Sequence, residues 1–461
     1  MLALPQELVD LIMGCMDSDT LSTCTLLSRA FHNVASPHLF RSLVIDDASP
    51  THDFDAFLYD LRANVIRGPA KLVKTLTLQG ADWDSFDLSV VDVHAIFAIL
   101  AELPSVHTLK LVDILVKRNH DRKKAPIPPR SLKSLELYRL VFDLSRRAEG
   151  EISEDDFASL AVNNNQHVLC SFIQMLDMLA SVETLAMYDT ETIHIHRRSH
   201  KWESEPDFAV STARFLGRLV NSGVRIKHLV SQQGTMSHDV YLELLKTSGS
   251  LDDLQTMRIS DTYQTMYSFL HDSLARDLTH LHLVVGRDQR YNVPAGTKQI
   301  DLDLAQYNRL ITLRISTILC GRDYSKEEKK RELSDSLSRF AAVLETASHQ
   351  APDTVTAIEI DVIDCRKNPP PNDTSILLYT GVDWESADVA LARRQNLQRI
   401  SFAFLFYPGT YWNAFDRSEF SEMEMDAREV KHKAQIDLVK AKLPRVRRRN
   451  ILTVAYDREA M

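Results

Sequence analysis

The chain has 461 residues, a net charge of −9 and 44% hydrophobic residues. That is enough to bury one large core or several smaller ones. The acidic balance argues against nucleic acid as a partner, which would need a basic field. The five cysteines form no C-x-x-C pair, which points to a reducing cytosol or nucleus rather than a disulfide framework. No apolar run of about 18 residues is present, so no membrane span is expected. Glu7 and Asp10 interrupt the first apolar stretch, and no basic segment precedes it, so it is not expected to be a signal peptide.

In chain order, the first elements lie in "LPQELVDLIMGCMDSDTLSTCTLLSRAFHNVASPHLFRSL", from Leu4 to Leu43. Leu8, Leu11, Ile12 and Cys15 form one helical stripe, with Pro5 in the first turn. "DSDT" (Asp17–Thr20) breaks that helix, and Asp19 or Thr20 is expected to cap the next. Leu21, Cys24, Leu27 and Phe31 continue at helical spacing, and Pro37 ends the segment or begins a further short turn. So few residues make no independent core, so these helices must pack on the following domain, on another chain, or on both.

From residue 40 onward one pattern recurs: apolar, two residues, apolar, one residue, apolar. It reads "VKTLTL" at Val73, "VHTLKL" at Val106, "LKSLEL" at Leu132 and "VETLAM" at Val182. "LQTMRI" at Leu254, "LTHLHL" at Leu278, "LITLRI" at Leu310, "VTAIEI" at Val355 and "LQRISF" at Leu397 follow. "IKHLVS" at Ile226 is a degraded copy, and "FRSLVI" at Phe40 is a candidate first one. The closing alternation has a period of two and predicts a short strand with one buried face. Helical stripes lie between copies: Val93, Ile96, Phe97 and Leu100; Phe172, Met175, Leu176 and Leu179; Leu333, Leu337, Phe340 and Leu344. Strand, helix, strand in this order predicts an α/β fold with a parallel sheet and outer helices.

The insertions Val116–Arg130, Ser145–Gln166, His196–Pro206 and Cys365–Ser375 are polar or proline-rich and are expected to be surface loops. Ser418–Leu443 reads as a charged helix that caps the stack before a last strand, "NILTVAY" (Asn450–Tyr456). "LPRVRRRN" (Leu443–Asn450) is expected to be a charged loop rather than a nucleic-acid patch. His194, His196 and His200 could supply metal ligands, but Arg197 and Arg198 beside them favour a solvated basic loop. No phosphate-binding glycine loop, G-x-S-x-G or H-E-x-x-H occurs, so neither a catalytic centre nor a cofactor is expected.

Two resemblances follow from these residues. The recurring pattern resembles leucine-rich repeats, which implies an irregular solenoid over residues 43–461. It departs from that family where an Asn or Cys is usual: Ala81, Ile114, Leu140 and Thr190 stand there. The intervals between copies also vary, from 24 residues (Leu254 to Leu278) to 50 (Leu132 to Val182). An ordinary α/β domain with common strand motifs is the bland alternative.

The first segment, residues 1–42, resembles an F-box, especially those of mushroom-type fungi. The match rests on Leu4, Pro5, Glu7, Leu8 and Ile12, then Met16, Asp17, Asp19 and Leu21. Leu26-Leu27-Ser28-Arg29 with Phe31, and Pro37, Leu39 and Phe40, complete it. Leu27 stands where Val is usual and Phe31 where Trp is frequent.

The F-box resemblance implies a non-catalytic substrate-recognition subunit of an SCF-type cullin–RING ubiquitin ligase, cytoplasmic or nuclear. Leu4, Pro5, Leu8, Ile12, Met16, Leu21 and Leu26 would anchor a Skp-family adaptor, and through it a cullin. A protein substrate would meet the open face of the sheet. That face carries Thr75, Thr77, Thr108, Lys110, Ser134, Glu136 and His280, with Tyr138, Tyr188, Arg258, His282, Arg314, Glu359 and Arg399 as candidate contacts. Two alternatives are an interaction scaffold whose N-terminal helices only cap the solenoid, and substrate contact made by the long loops instead of the sheet.

Overall fold

The recurring six-residue pattern forms a strand at every copy. The computed structural model describes residues 4–47, 54–63, 67–81, 89–117, 127–143, 171–188, 191–193, 224–232, 237–261, 277–285, 304–319, 338, 340–364, 382–406 and 436–457. These divide into two units, Met1–Lys227 with Gly234–Asp252, and His228–Gln233 with Asp253–Met461. The architecture is α/β, and twelve of the described strands belong to a large parallel sheet.

The first unit begins with three helices: α1 (Gln6–Gly14), α2 (Ser18–Leu27) and α3 (Arg29–Leu39). Asp17, not Asp19 or Thr20, caps α2; its carboxylate accepts from the Thr20 amide at 2.7 Å. That bond draws the Asp17 carboxyl below its ordinary pKa. Ser28 caps α3 through the Phe31 amide, so the Leu21–Phe31 stripe is split between two helices. Pro37 lies inside α3 and does not end it.

Strands β1 (Ser42–Asp46), β2 (Thr75–Gln79), β4 (Thr108–Val112), β6 (Arg130–Tyr138) and β8 (Leu179–Tyr188) pair in that order. Their register aligns the pattern: Leu76, Leu109, Leu135 and Leu185 form one row, and Leu78, Leu111, Leu137 and Met187 another. All eight are buried, which is why the register holds: a slip of one residue would turn every one of them outward.

Between β1 and β2 come α4 (Phe54–Arg62) and α5 (Arg67–Ala70), and between β2 and β4 comes α6 (Val93–Glu102). α6 is buried well beyond its predicted stripe, with Ala95, Ala98 and Ile99 enclosed as well as Val93, Ile96, Phe97 and Leu100. Asp92 caps it through the Ala95 amide. The helix Ser171–Asp177 buries Phe172, Met175 and Leu176 of its predicted stripe, while Leu179 is already the first residue of β8. Phe172 packs edge-on against Phe142 and Tyr241 at 5.1 and 4.8 Å between ring centroids.

A second parallel sheet was not expected. β3 (Ser89–Asp92), β5 (Ile114–Lys117), β7 (Val141–Asp143) and β9 (Glu191–Ile193) form it. The chain passes from β4 to β5 and from β6 to β7 through left-handed residues, Asp113 at φ 56° and Arg139 at φ 48°. Arg139 donates to the Asp113 carboxylate at 2.5 Å, tying adjacent corners together. At the equivalent corner after β2, a side chain on Gly80 would lie 2.1 Å from the Asp113 carbonyl oxygen, so only glycine fits. Ile114 and Leu140, which stand where an Asn or Cys was sought, are fully buried. Val116, Lys117 and Arg130 are strand residues, not parts of a loop.

In the second unit β10 (His228–Gln232), β11 (Thr256–Asp261), β12 (His280–Val285), β13 (Thr312–Leu319), β14 (Ala357–Asp364), β15 (Arg399–Phe406) and β16 (Leu452–Asp457) pair in sequence order. Phe340 and Leu344 are buried as their spacing predicts. Helix Trp384–Arg393 is capped by Asp383. Its buried Asp388 accepts from the amides of Arg445 and Val446, so Pro444–Arg448 is a short helix and not the expected loop. Of the charged helix Ser418–Leu443, only 436–443 lie among the described residues, helical over 436–442. The insertions 145–166, 196–206 and 365–375, and the histidines at 194, 196 and 200, lie outside the described residues.

Candidate functional site

The first candidate surface is built by the three N-terminal helices. Their common core is small: Met13, Leu21 and Ala35, flanked by Val9, Met16, Cys24, Val34 and Leu39. α1 therefore turns its Val9–Met13–Met16 side inward. The stripe Leu8, Leu11, Ile12 and Cys15 on its other side is exposed. Of the seven residues assigned to adaptor contact, Leu4, Leu8, Ile12 and Leu26 are large apolar side chains in water, from 44% exposed at Ile12 to 84% at Leu26. Pro5 is exposed with them and Met16 is half-buried against the small core.

Leu21 is a correction. It is 5% exposed and belongs to the inner core, so it holds the helices together and presents nothing outward. Leu11, Leu27 and Phe31 were not assigned to contact, yet all are exposed. Their signal was in the sequence, since Leu11 lies on the Leu8–Ile12 stripe. Large apolar side chains gathered on one element and left in water mark an interaction surface or an aggregation hazard.

The second candidate surface is the polar face of the strands, which the two units furnish differently. In the first unit Tyr138 and Tyr188 are register partners and stack at 4.4 Å with an interplanar angle of 6°. Both are half-buried. Tyr138 donates its hydroxyl to Glu136 at 3.1 Å, and Lys110 pairs with the same carboxylate at 2.8 Å. Burial first, then the neighbouring Tyr188 and Glu136, raise the Tyr138 pKa, so the phenol stays a donor. The result is a flat aromatic shelf beside a neutralised charge pair.

In the second unit Arg258, His282, Arg314 and Glu359 stand in one register row. Ser316 and Asp361 occupy the next position on the same face, and both are almost fully buried. Ser316 donates to Asp361 Oδ2 at 2.6 Å, and Arg314 Nε donates to the same oxygen at 2.6 Å. His282 Nε2 lies 2.7 Å from Ser316 Oγ. Glu359 pairs with Arg399 on β15 and approaches Arg314 at 3.9 Å. Burial, then Arg258 and Arg314, push the His282 pKa down to about 2. Its 3.9 Å approach to Asp361 is therefore not an ion pair at neutral pH.

Ser, His and Asp together invite comparison with a nucleophilic triad, but the hydrogen bonds run the wrong way. A triad needs the hydroxyl proton to face the histidine and the carboxylate to hold the other ring nitrogen. Here the single Ser316 proton is committed to Asp361, so His282 must donate its own Nε2 proton to Ser316. The network fixes side chains on the sheet face and activates no nucleophile.

All seven predicted sheet residues thus belong to elements of the parallel sheet, Tyr138 and Tyr188 in one cluster and the other five in another. Ser316 and Asp361 were missed because the six-residue pattern stops at Ile315 and Ile360, whereas β13 and β14 run on. No protein-family model matches this chain, and comparison with curated proteins finds no match either. Among the described residues no helix is long and apolar enough to cross a membrane.

Proposed function

We propose that the chain is the substrate-recognition subunit of an SCF-type cullin–RING ubiquitin ligase, non-catalytic itself and acting in the cytoplasm or nucleus. In this reading the three N-terminal helices are an F-box that docks a Skp-family adaptor, and the remainder is an irregular leucine-rich-repeat-like solenoid that captures a protein substrate. One observation carries it: Leu4, Leu8, Ile12 and Leu26 are all exposed, on or just before helices whose own core is only a few side chains deep. Burying such a side chain in a partner is worth roughly 1.5–3 kcal/mol each, so a few anchors support a stable complex. Leu11, Leu27 and Phe31 join them as anchors. A capping role gives no reason for an apolar stripe in water, whereas adaptor docking does. The stacked tyrosines and the arginine-rich row supply the kinds of side chain that dominate protein interfaces.

The test is co-purification with a Skp-family adaptor. Leu8→Asp combined with Ile12→Asp is expected to abolish binding while leaving the strand region folded, as read by circular dichroism. Undiminished binding by the folded double variant would remove the docking surface from the proposal. Absence of binding by the unaltered chain would remove the ligase reading altogether.

A further inference from the structure

On the polar face of the second unit, charge is matched strand to strand. Arg314 is held by Asp361, and Arg399 by Glu359. Arg258, at the head of the same row, has no such match among the described residues. Its register neighbours are Val230 on β10 and His282 on β12, and its Nε is buried without a hydrogen-bond partner. His282 offers no compensation, since it stays uncharged and commits its Nε2 to Ser316. Glu359 in the row and Asp361 at the next position are engaged by other arginines. An arginine has five N–H donors in a fixed fork and cannot shed its charge, and a buried donor left unmade is costly. An anion beside Arg258 would give it the partner that Asp361 gives Arg314 and Glu359 gives Arg399.

We propose that Arg258 is an oxyanion-binding position, and that its ligand is an acidic side chain, carboxylate or phosphate, of a protein segment lying across the polar face of β11 and β12. A polyanion fits less well. Nucleic acid or an anionic membrane needs a broad positive field, whereas the chain carries a net charge of −9 and, among the described residues, this row holds one unmatched cation. A bidentate pair with one guanidinium suits a single carboxylate or phosphate group. The proposal rests on reading this face as the substrate side, and it supplies the chemistry of the substrate.

The experiment uses the full chain without adaptor, so its outcome is separate from that of adaptor co-purification. The probe is an array of otherwise neutral, randomised nonapeptides with glutamate, phosphoserine, glutamine or serine fixed at the centre. The acidic peptides are expected to be retained at least about tenfold more tightly than the neutral ones, as a charge-assisted hydrogen bond implies. Retention of both acidic classes identifies a general oxyanion site, and retention of phosphoserine alone identifies phosphate as its source. Arg258→Gln should erase the preference, and Arg258→Lys should keep part of it, since the charge stays but the fork is lost. Equal retention of acidic and neutral peptides overturns the proposal, as does a preference that survives in folded Arg258→Gln. Inorganic phosphate should compete with the acidic peptides on the unaltered chain. Failure to compete overturns the proposal without reliance on any variant.

Discussion

Two regions of this molecule depart from the usual inside-outside rule, in opposite directions. The N-terminal helices leave Leu8, Leu11 and Ile12 in water, while the second unit buries Ser316 and Asp361 on a sheet face that strand alternation marks as polar. Such inversions carry more information than ordinary burial. The buried polar group is satisfied from within, because parallel in-register strands place an acceptor beside each donor: Ser316 beside Asp361, Arg314 beside Glu359. The exposed apolar stripe has no such neighbour among the described residues, because three short helices offer too little surface to cover it. One region closes its interactions inside the chain, and the other leaves an apolar stripe open to water.

The sharpest way to break this comparison is to truncate matching apolar positions. Phe97 in α6 is fully enclosed, so Phe97→Ala should cost about 3–5 kcal/mol in urea unfolding, the range for an aromatic cavity. Leu8→Asp with Ile12→Asp should change stability by no more than about 0.5 kcal/mol per site, as for surface positions. A large loss from the double variant would mean that the stripe is already covered within the chain, and the contrast would collapse.

The parallel sheet was legible from the sequence because its strands repeat one burial pattern, and the rows Leu76–Leu109–Leu135 and Ile315–Ile360–Phe402 follow from aligning the copies. The second sheet was not legible. β5 and β7 are only four and three residues long, and they follow left-handed residues, Asp113 and Arg139, that are not glycine. The apolar stripe of α1 was legible, but which neighbour it meets was not. A helix with apolar residues on more than one side has two candidate inner faces, and here Met13 rather than Leu8 turns inward. Leu21 was misassigned for the same reason: helical spacing reports a face, and only packing tells where that face points. Asp361 lay two residues beyond Glu359, past the end of the pattern but on the same side of a longer strand.

The buried polar network sharpens the comparison from the other side. Asp361→Ala would strip the acceptor from both Ser316 and Arg314 Nε. Removing one partner of a fully buried ion pair costs roughly 3–5 kcal/mol. Arg314 is 39% exposed, so water recovers part of the loss, and about 2–3 kcal/mol is expected. A cost under about 0.5 kcal/mol would show that solvent reaches the cluster freely and that its polar groups are not buried in any energetic sense.

His282 gives the smallest effect and the most specific one, because it depends on pH. Its pKa is lowered from the model-compound value of 6.5 to about 2 in the folded chain, by burial first and then by Arg258 and Arg314. Between those values the unfolded chain binds one more proton than the folded one, so stability must fall as pH falls, starting near 6.5 and ending near 2. Between pH 7 and pH 5 this group alone should remove about 2 kcal/mol of unfolding free energy. His282→Gln keeps a donor for Ser316 but cannot titrate, so its stability should decline less over that interval by the same amount. Equal slopes in the two proteins would mean that His282 is solvated and protonates in place. The polar face would then be an ordinary wet surface, and only the N-terminal helices would depart from the usual rule.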